Sequence, residues 1–153
     1  MIPDTINTWF ATYVDSFKPV TGKAAEMIAH KRSHSRRVAE LSLALSGELG
    51  WTDDDRSIAE TIGLIHDCGR FNQIVAHESY IDVHTFDHGK EGCRVIISEK
   101  ILDGYDDDVR TAILDAVRYH NNHRIPGRAS GTKHTIRTTN QGCGQSRYFQ
   151  YAA

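Results

Sequence analysis

The strongest constraint in this chain is an apolar run that ends in two metal-ligand side chains, Gly63-Leu64-Ile65-His66-Asp67-Cys68-Gly69-Arg70. Ile58, Ala59, Ile62 and Ile65 lead into it at helical spacing and Gly69 follows, so His66 and Asp67 fall at the carboxyl end of a buried helix. Adjacent helical residues point about 100° apart. The pair can therefore hold one ion only from a helix end or from two sides of a site. In either case the remaining ligands come from other segments, and the fold must bring those segments to one helix terminus.

The rest of the chain reads as helices that can do this. Ile6, Trp9, Phe10, Tyr13, Val14 and Phe17 recur at three- and four-residue steps, with Asp4 or Thr5 as cap and an end near Pro19. Thr21 opens a long helical stretch with a break near Ser33, whose buried side is marked by Met27, Ile28, Val38, Leu41 and Leu45. Gly47 and Gly50 close it. Thr52 and the run Asp53, Asp54, Asp55 start the next helix, the acids favouring the positive end of its dipole. From Phe71 to Thr85 the pattern weakens to a loop or short helix. Asp87-His88-Gly89-Lys90-Glu91-Gly92 begins another helix, continued by Val95, Ile96, Ile97 and Ile101, where two glycines serve close approach of a helix or a ligand. After Asp103-Gly104, Asp106 to Asp108 start a last helix through Val109, Ile113, Val117 and His120. The expectation is an all-α fold, a bundle of five to six helices with no strand.

Four helical segments thus carry His34, His66 with Asp67, His88 and His120 to apolar faces or helix ends. A lone histidine on a buried stripe, such as His34 four residues before Val38, is ordinarily a satisfied core residue. Four of them with a carboxylate call for a shared partner, because buried polar groups cost free energy unless paired. Imidazole and carboxylate together suit a divalent transition metal, Mn, Fe, Co, Ni or Zn, in one or two copies. Two ions would need a bridging carboxylate, for which Asp67 is the candidate. Such ions acidify water and polarise a phosphoryl oxygen. His30, His77, His84 and His134 read as surface residues, and Cys68 as a small buried hydrophobe rather than a nucleophile.

The order His34, His66-Asp67, His88 in an Asp-His-Gly setting, then His120 resembles the HD-domain metal-dependent phosphohydrolases, all-helical enzymes, over roughly Lys31 to Pro126. The wording from Leu64 to Phe71 is similar to that family's His-Asp-x-Gly-(Lys/Arg) motif. The resemblance implies that His34, His66 and Asp67 ligate metal and that His88 and His120 complete a second position or contact phosphate. It casts Asp67 as catalytic, and Arg70 as catalytic and as a substrate contact with His120 and His123; for Arg70 the alternative is a surface charge after a turn. The substrate implied is a phosphate ester of a nucleotide or small metabolite.

One part of that pattern is missing. The family carries a further ligand Asp on a later helix, usually within an Asp-Ala-Asp sequence, and this chain has no acid after Asp115. Residues 1–126 hold 20 acids against 14 lysines and arginines, a net of −6, while residues 127–153 carry +4 from Arg128, Lys133, Arg137 and Arg147. Beyond Pro126 there is no Leu, Val or Met, too little apolar surface for a core-facing helix. Back-translated and read one nucleotide later, Asn140 to Phe149 can give Ile-Lys-Asp-Ala-Asp-Asn-Leu-Asp-Ile-Phe. We therefore expect an HD-type domain over 1–126 and an irregular basic tail over 127–153 arising from a frameshift near Pro126 or Gly127, with a natural basic extension as the alternative. Loss of the last helix would leave an apolar groove exposed and favour homo-oligomers.

No apolar run approaches the roughly 18 residues of a membrane span, and the start lacks a secretory pattern, so a cytoplasmic location is expected. Three widely spaced cysteines argue against both a disulfide framework and a Cys-based zinc ribbon. The basic tail raises nucleic-acid binding, but the acidic body and sparse aromatic residues in the tail weigh against it.

Overall fold

The computed structural model describes residues 3–122 as six α-helices with one 3-10 turn and no strand. They are α1 (Asp4–Asp15), α2 (Gly22–Glu48), α3 (Asp53–Ile65), α4 (Gly69–His77), the 3-10 turn Asp82–His84, α5 (His88–Ser98) and α6 (Asp107–Tyr119). The all-α expectation holds. His123 and the whole tail, with the frameshift reading, lie outside the described residues.

Helix α2 departs from its expected form in two ways. It runs unbroken through Ser33, and its leucines face out: Leu41 and Leu45 are 67% and 54% exposed, and Val38 is only half-buried. The inward seam is Ser35, Ala39, Ser42 and Ser46, at steps of four, three and four. The cause is the partner helix. A Cβ added to Gly63 of α3 would stand 2.8 Å from Ala39 Cα and 2.9 Å from Ser42 Oγ. Backbones that approach so closely admit only small side chains between them, so the small-residue stripe turns in and the leucine stripe turns out.

The other helices follow the apolar periods more closely. Thr52 caps α3, accepting from Asp55 N, and Asp87 caps α5, accepting from Gly89 N and Lys90 N; each cap satisfies donors that the helix itself cannot. Helix α1 starts after Pro3, so Asp4 lies in its first turn rather than at its cap. Its buried Phe10, with Tyr13 and Phe17, closes around Phe71 at centroid distances of 6.1, 5.8 and 5.8 Å. Tyr13 also donates its hydroxyl to Cys68 O at 3.1 Å. This aromatic cluster grips the α3–α4 corner from behind and fixes the short span that carries His66 and Asp67.

The glycines at the α4–α5–α6 junction show why that corner sits where it does. A Cβ on Gly69 would collide with His88 O and stand 2.5 Å from Gly92 N. One on Gly89 would lie 2.6 Å from Arg118 O. The expected close approach is therefore between helices, and it draws the first turn of α5 against the ends of α4 and α6.

Candidate metal centre

Three of the four histidines are aimed by the same kind of device. His66 is the C-cap of α3, and its Nδ1 donates to Gly63 O at 2.8 Å; His120 is the C-cap of α6, and its Nδ1 donates to Val117 O at 2.7 Å. Each ring thus satisfies an orphan carbonyl at the end of its own helix. His88, the first residue of α5, turns its Nδ1 to Asp82 Oδ2 at 2.6 Å. Since a carbonyl or carboxylate accepts, all three rings carry the proton on Nδ1 and direct the Nε2 lone pair inward. His34 arrives from the middle of α2, half-buried, beside the small-residue seam.

Asp67 lies between them. Its Oδ2 stands 3.6 Å from His34 Nε2 and 3.3 Å from His66 Nε2, and its Oδ1 stands 3.4 Å from both His88 Nε2 and His120 Nε2. The donor atoms form two overlapping triads, His34, His66 and Asp67 on one side and Asp67, His88 and His120 on the other. Asp67 is common to both, with one oxygen to each. That is the arrangement expected of a carboxylate bridging two ions.

The second triad also tests whether a cation fits. His88 Nε2 and His120 Nε2 face each other at 2.9 Å, and both face an ionised carboxylate. With the protons on Nδ1 these are three electron-pair donors converging with no hydrogen among them. A cation at their meeting point turns that repulsion into ligation, and the donor types suit a divalent transition metal.

The electrostatics agree. Burial works against charge on Asp67, yet its carboxyl is held far below the usual range, with the Lys31 ammonium donating to its Oδ2 at 2.7 Å. Burial lowers His88 from 6.5 to about 4, despite the Asp82 carboxylate. His34 is lowered as well, by burial first and then by Lys31. Neutral imidazoles around an ionised carboxylate are the protonation states that ligation requires.

Every expected ligand is thus brought to one place. Arg70 is near it but occupied: its Nη1 donates to Gln73 Oε1 at 2.6 Å, Tyr80 O at 2.7 Å and Asp82 Oδ1 at 2.5 Å, while its Nε, 3.8 Å from Asp67 Oδ1, is buried without a hydrogen bond. Cys68 is fully buried with its thiol pushed up by burial, as a packing residue should be. His30, His77 and His84 are exposed.

Two residues of the site were not visible in the sequence reading. Lys31 places Nζ 2.7 Å from Asp67 Oδ2 and 5.2 Å from the Tyr80 ring centroid; its position three residues before His34, on the same helical face, was the signal available. Asp82 lies in the stretch where periodicity failed, and nothing local marks it.

A helical bundle with an imidazole and carboxylate cluster at the meeting of its helix ends defines a candidate metal-binding helical domain. The particular family follows from comparison: the HD domain model matches residues 32–141, and the chain belongs to the HD domain family. That family consists in general of metal-dependent hydrolases whose domains bind divalent metals. No curated protein and no solved structure matches the chain. Among the described residues no helix is long and apolar enough to cross a membrane.

Proposed function

We propose that this chain is a cytoplasmic phosphohydrolase that binds one or two Mn, Fe, Co, Ni or Zn ions and cleaves a phosphate ester of a nucleotide or small phosphorylated metabolite. The observation that carries the reading is the convergence of four imidazole nitrogens on the two oxygens of one buried carboxylate. When bound, the ions would acidify water and polarise the phosphoryl oxygen. The chain's own residues supply the rest. Asp67 spans the two positions. Lys31, 16% exposed at the Oδ2 side, offers a positive charge to a phosphate entering there. We assign Arg70 the same service at the Oδ1 side, and His120 and His123 contacts to the substrate.

A second reading is favoured by one fact. The His34 side has three donors, and residues 123–153 contain no Asp or Glu to add a fourth. On this reading the chain binds metal or ligand without turnover, its last helix replaced by frameshift. Metal content by mass spectrometry and hydrolysis of p-nitrophenyl phosphate and a nucleotide panel separate the two. Stoichiometric metal with turnover abolished by Asp67→Ala supports the enzyme; metal without turnover supports the second reading, and neither metal nor turnover sinks both. The nucleotide sequence across codons 120 to 153 decides the frameshift.

A further inference from the structure

Between α4 and α5 the chain from Glu78 to Phe86 is held in an unusual way. Ile81 and Val83 are 53% and 86% exposed, and the 3-10 turn buries no residue. The segment leaves α4 through Glu78 in the left-handed region, φ 47°. Polar bonds hold it instead. Gln73, fully buried, donates its Nε2 to Asp82 Oδ1 at 3.0 Å, Thr85 Oγ1 at 2.6 Å and Phe86 O at 3.1 Å. Arg70 bonds Tyr80 O and Asp82, and the Tyr80 hydroxyl reaches Met27 O at 3.1 Å.

These bonds centre on one carboxylate. Asp82 Oδ1 receives Arg70 and Gln73; its Oδ2 receives His88 Nδ1 at 2.6 Å and Asn121 Nδ2 at 3.2 Å. Asn121 is the neighbour of His120. A single side chain from the 3-10 turn thus ties α4 to His88 of one triad and to the residue after His120, its other histidine.

We propose that Asp82 is the positioning residue of the Asp67–His88–His120 half of the centre, fixing the His88 tautomer and ring orientation so that this position binds its ion independently of the His34–His66 position. The inference rests on the two-position reading above. It makes Arg70 and Gln73 the clamps that hold Asp82, and it gives the polar pinning of a 3-10 turn that buries no residue a purpose. Outer carboxylates on ligating histidines typically change metal affinity by about 10- to 100-fold.

The test uses the full chain and Co(II). Calorimetry and the cobalt visible spectrum are recorded for wild type, Asp82→Ala and Asp82→Asn, and the histidine tautomers are read by ¹⁵N NMR on the chelated proteins. Asp82→Ala should weaken one ion by about 10- to 100-fold and leave the other unchanged, with His88 moving toward the Nε2–H tautomer. Asp82→Asn, whose amide oxygen can still accept from His88, should recover part of both signals. A merely structural role would weaken both ions together or leave the tautomer alone, and would overturn the proposal. Two ions held as in wild type by Asp82→Ala would overturn it while sparing the two-position reading. A wild-type chain that binds no Co(II) would overturn both.

Discussion

Gly69→Ala probes the contact that joins the His66–Asp67 corner to His88. A methyl at Gly69 would overlap His88 O and lie 2.5 Å from Gly92 N and 3.1 Å from Glu91 C. Carbon contacts settle at about 3.5–4.0 Å, so α5 must retreat by about 1 Å. All three obstacles are backbone, and no rotamer change can relieve them. Overpacking of this kind costs about 1–3 kcal/mol, and this case belongs at the upper end. Ala also gains up to about 1 kcal/mol over Gly in a helix, leaving a net loss of about 2 kcal/mol. For a chain of this size that lowers Tm by about 4–8 °C. The control is Gly47→Ala in α2, whose Cβ would meet only the Arg56 guanidinium at 3.5 Å; it should stabilise by up to about 1 kcal/mol. Urea melts of both variants, with Co(II) titration of Gly69→Ala, measure the effect. Both variants shifting stability in the same direction, or Gly69→Ala melting and binding as wild type, would refute the packing argument.

Three further outcomes are expected. In the chelated protein His88 has its pKa lowered from 6.5 to about 4, so the unfolded chain takes up a proton that the folded chain refuses. Stability from neutral His88 is present above pH 6.5 and is lost as pH falls toward 4, up to about 3 kcal/mol; Asp67 and Asp82, both lowered from 3.8, add their loss below that. Thermal melts from pH 7 to 4.5 should show the decline and His88→Gln should flatten it, whereas an unchanging wild-type Tm contradicts the assignment. Lys31→Ala frees Asp67 Oδ2 from a competing ammonium 2.7 Å away, so Co(II) at the His34 position should tighten by about tenfold while inhibition by inorganic phosphate weakens; looser Co(II) binding would be inconsistent with competition. Leu41 and Leu45 of α2 and Leu49 just past its end, 67%, 54% and 56% exposed, should drive self-association that Leu45→Glu reverses in sedimentation velocity, and a concentration-independent monomer would count against it.

The candidate ligands were legible in sequence because they sit where helical periodicity can be read. His66 and His120 end apolar runs, and His88 opens one. His34 was placed correctly for a reason that fails: the stripe through Val38, Leu41 and Leu45 is not the buried one, since periodicity identifies apolar faces and α2 buries a face of serine and alanine. Nothing in α2 alone announces that choice. It depends on Gly63 in another helix, which admits the close approach. Asp82 was illegible for a similar reason, because its partners Arg70, Gln73, His88 and Asn121 are recruited across three elements by a segment with no period of its own.

The charges of the centre bear on what it can bind. Asp67 is paired with Lys31, and Asp82 with Arg70, so the described residues around the site nearly cancel before any ion enters. The four imidazoles add no negative charge, and residues 123–153 contain five lysines and arginines and no acid. One divalent ion therefore leaves the site at about +2 and two ions at about +4, among largely buried side chains where such charge is costly. The compensating anion must come from what binds. A phosphate monoester or polyphosphate, carrying two or more negative charges, offsets the ions better than a diester with one. By linkage the metal and such an anion must strengthen each other's binding by equal factors. On the proposed reading, a centre with one carboxylate shared by its two triads among the described residues should bind metal weakly alone and favour the most highly charged phosphates.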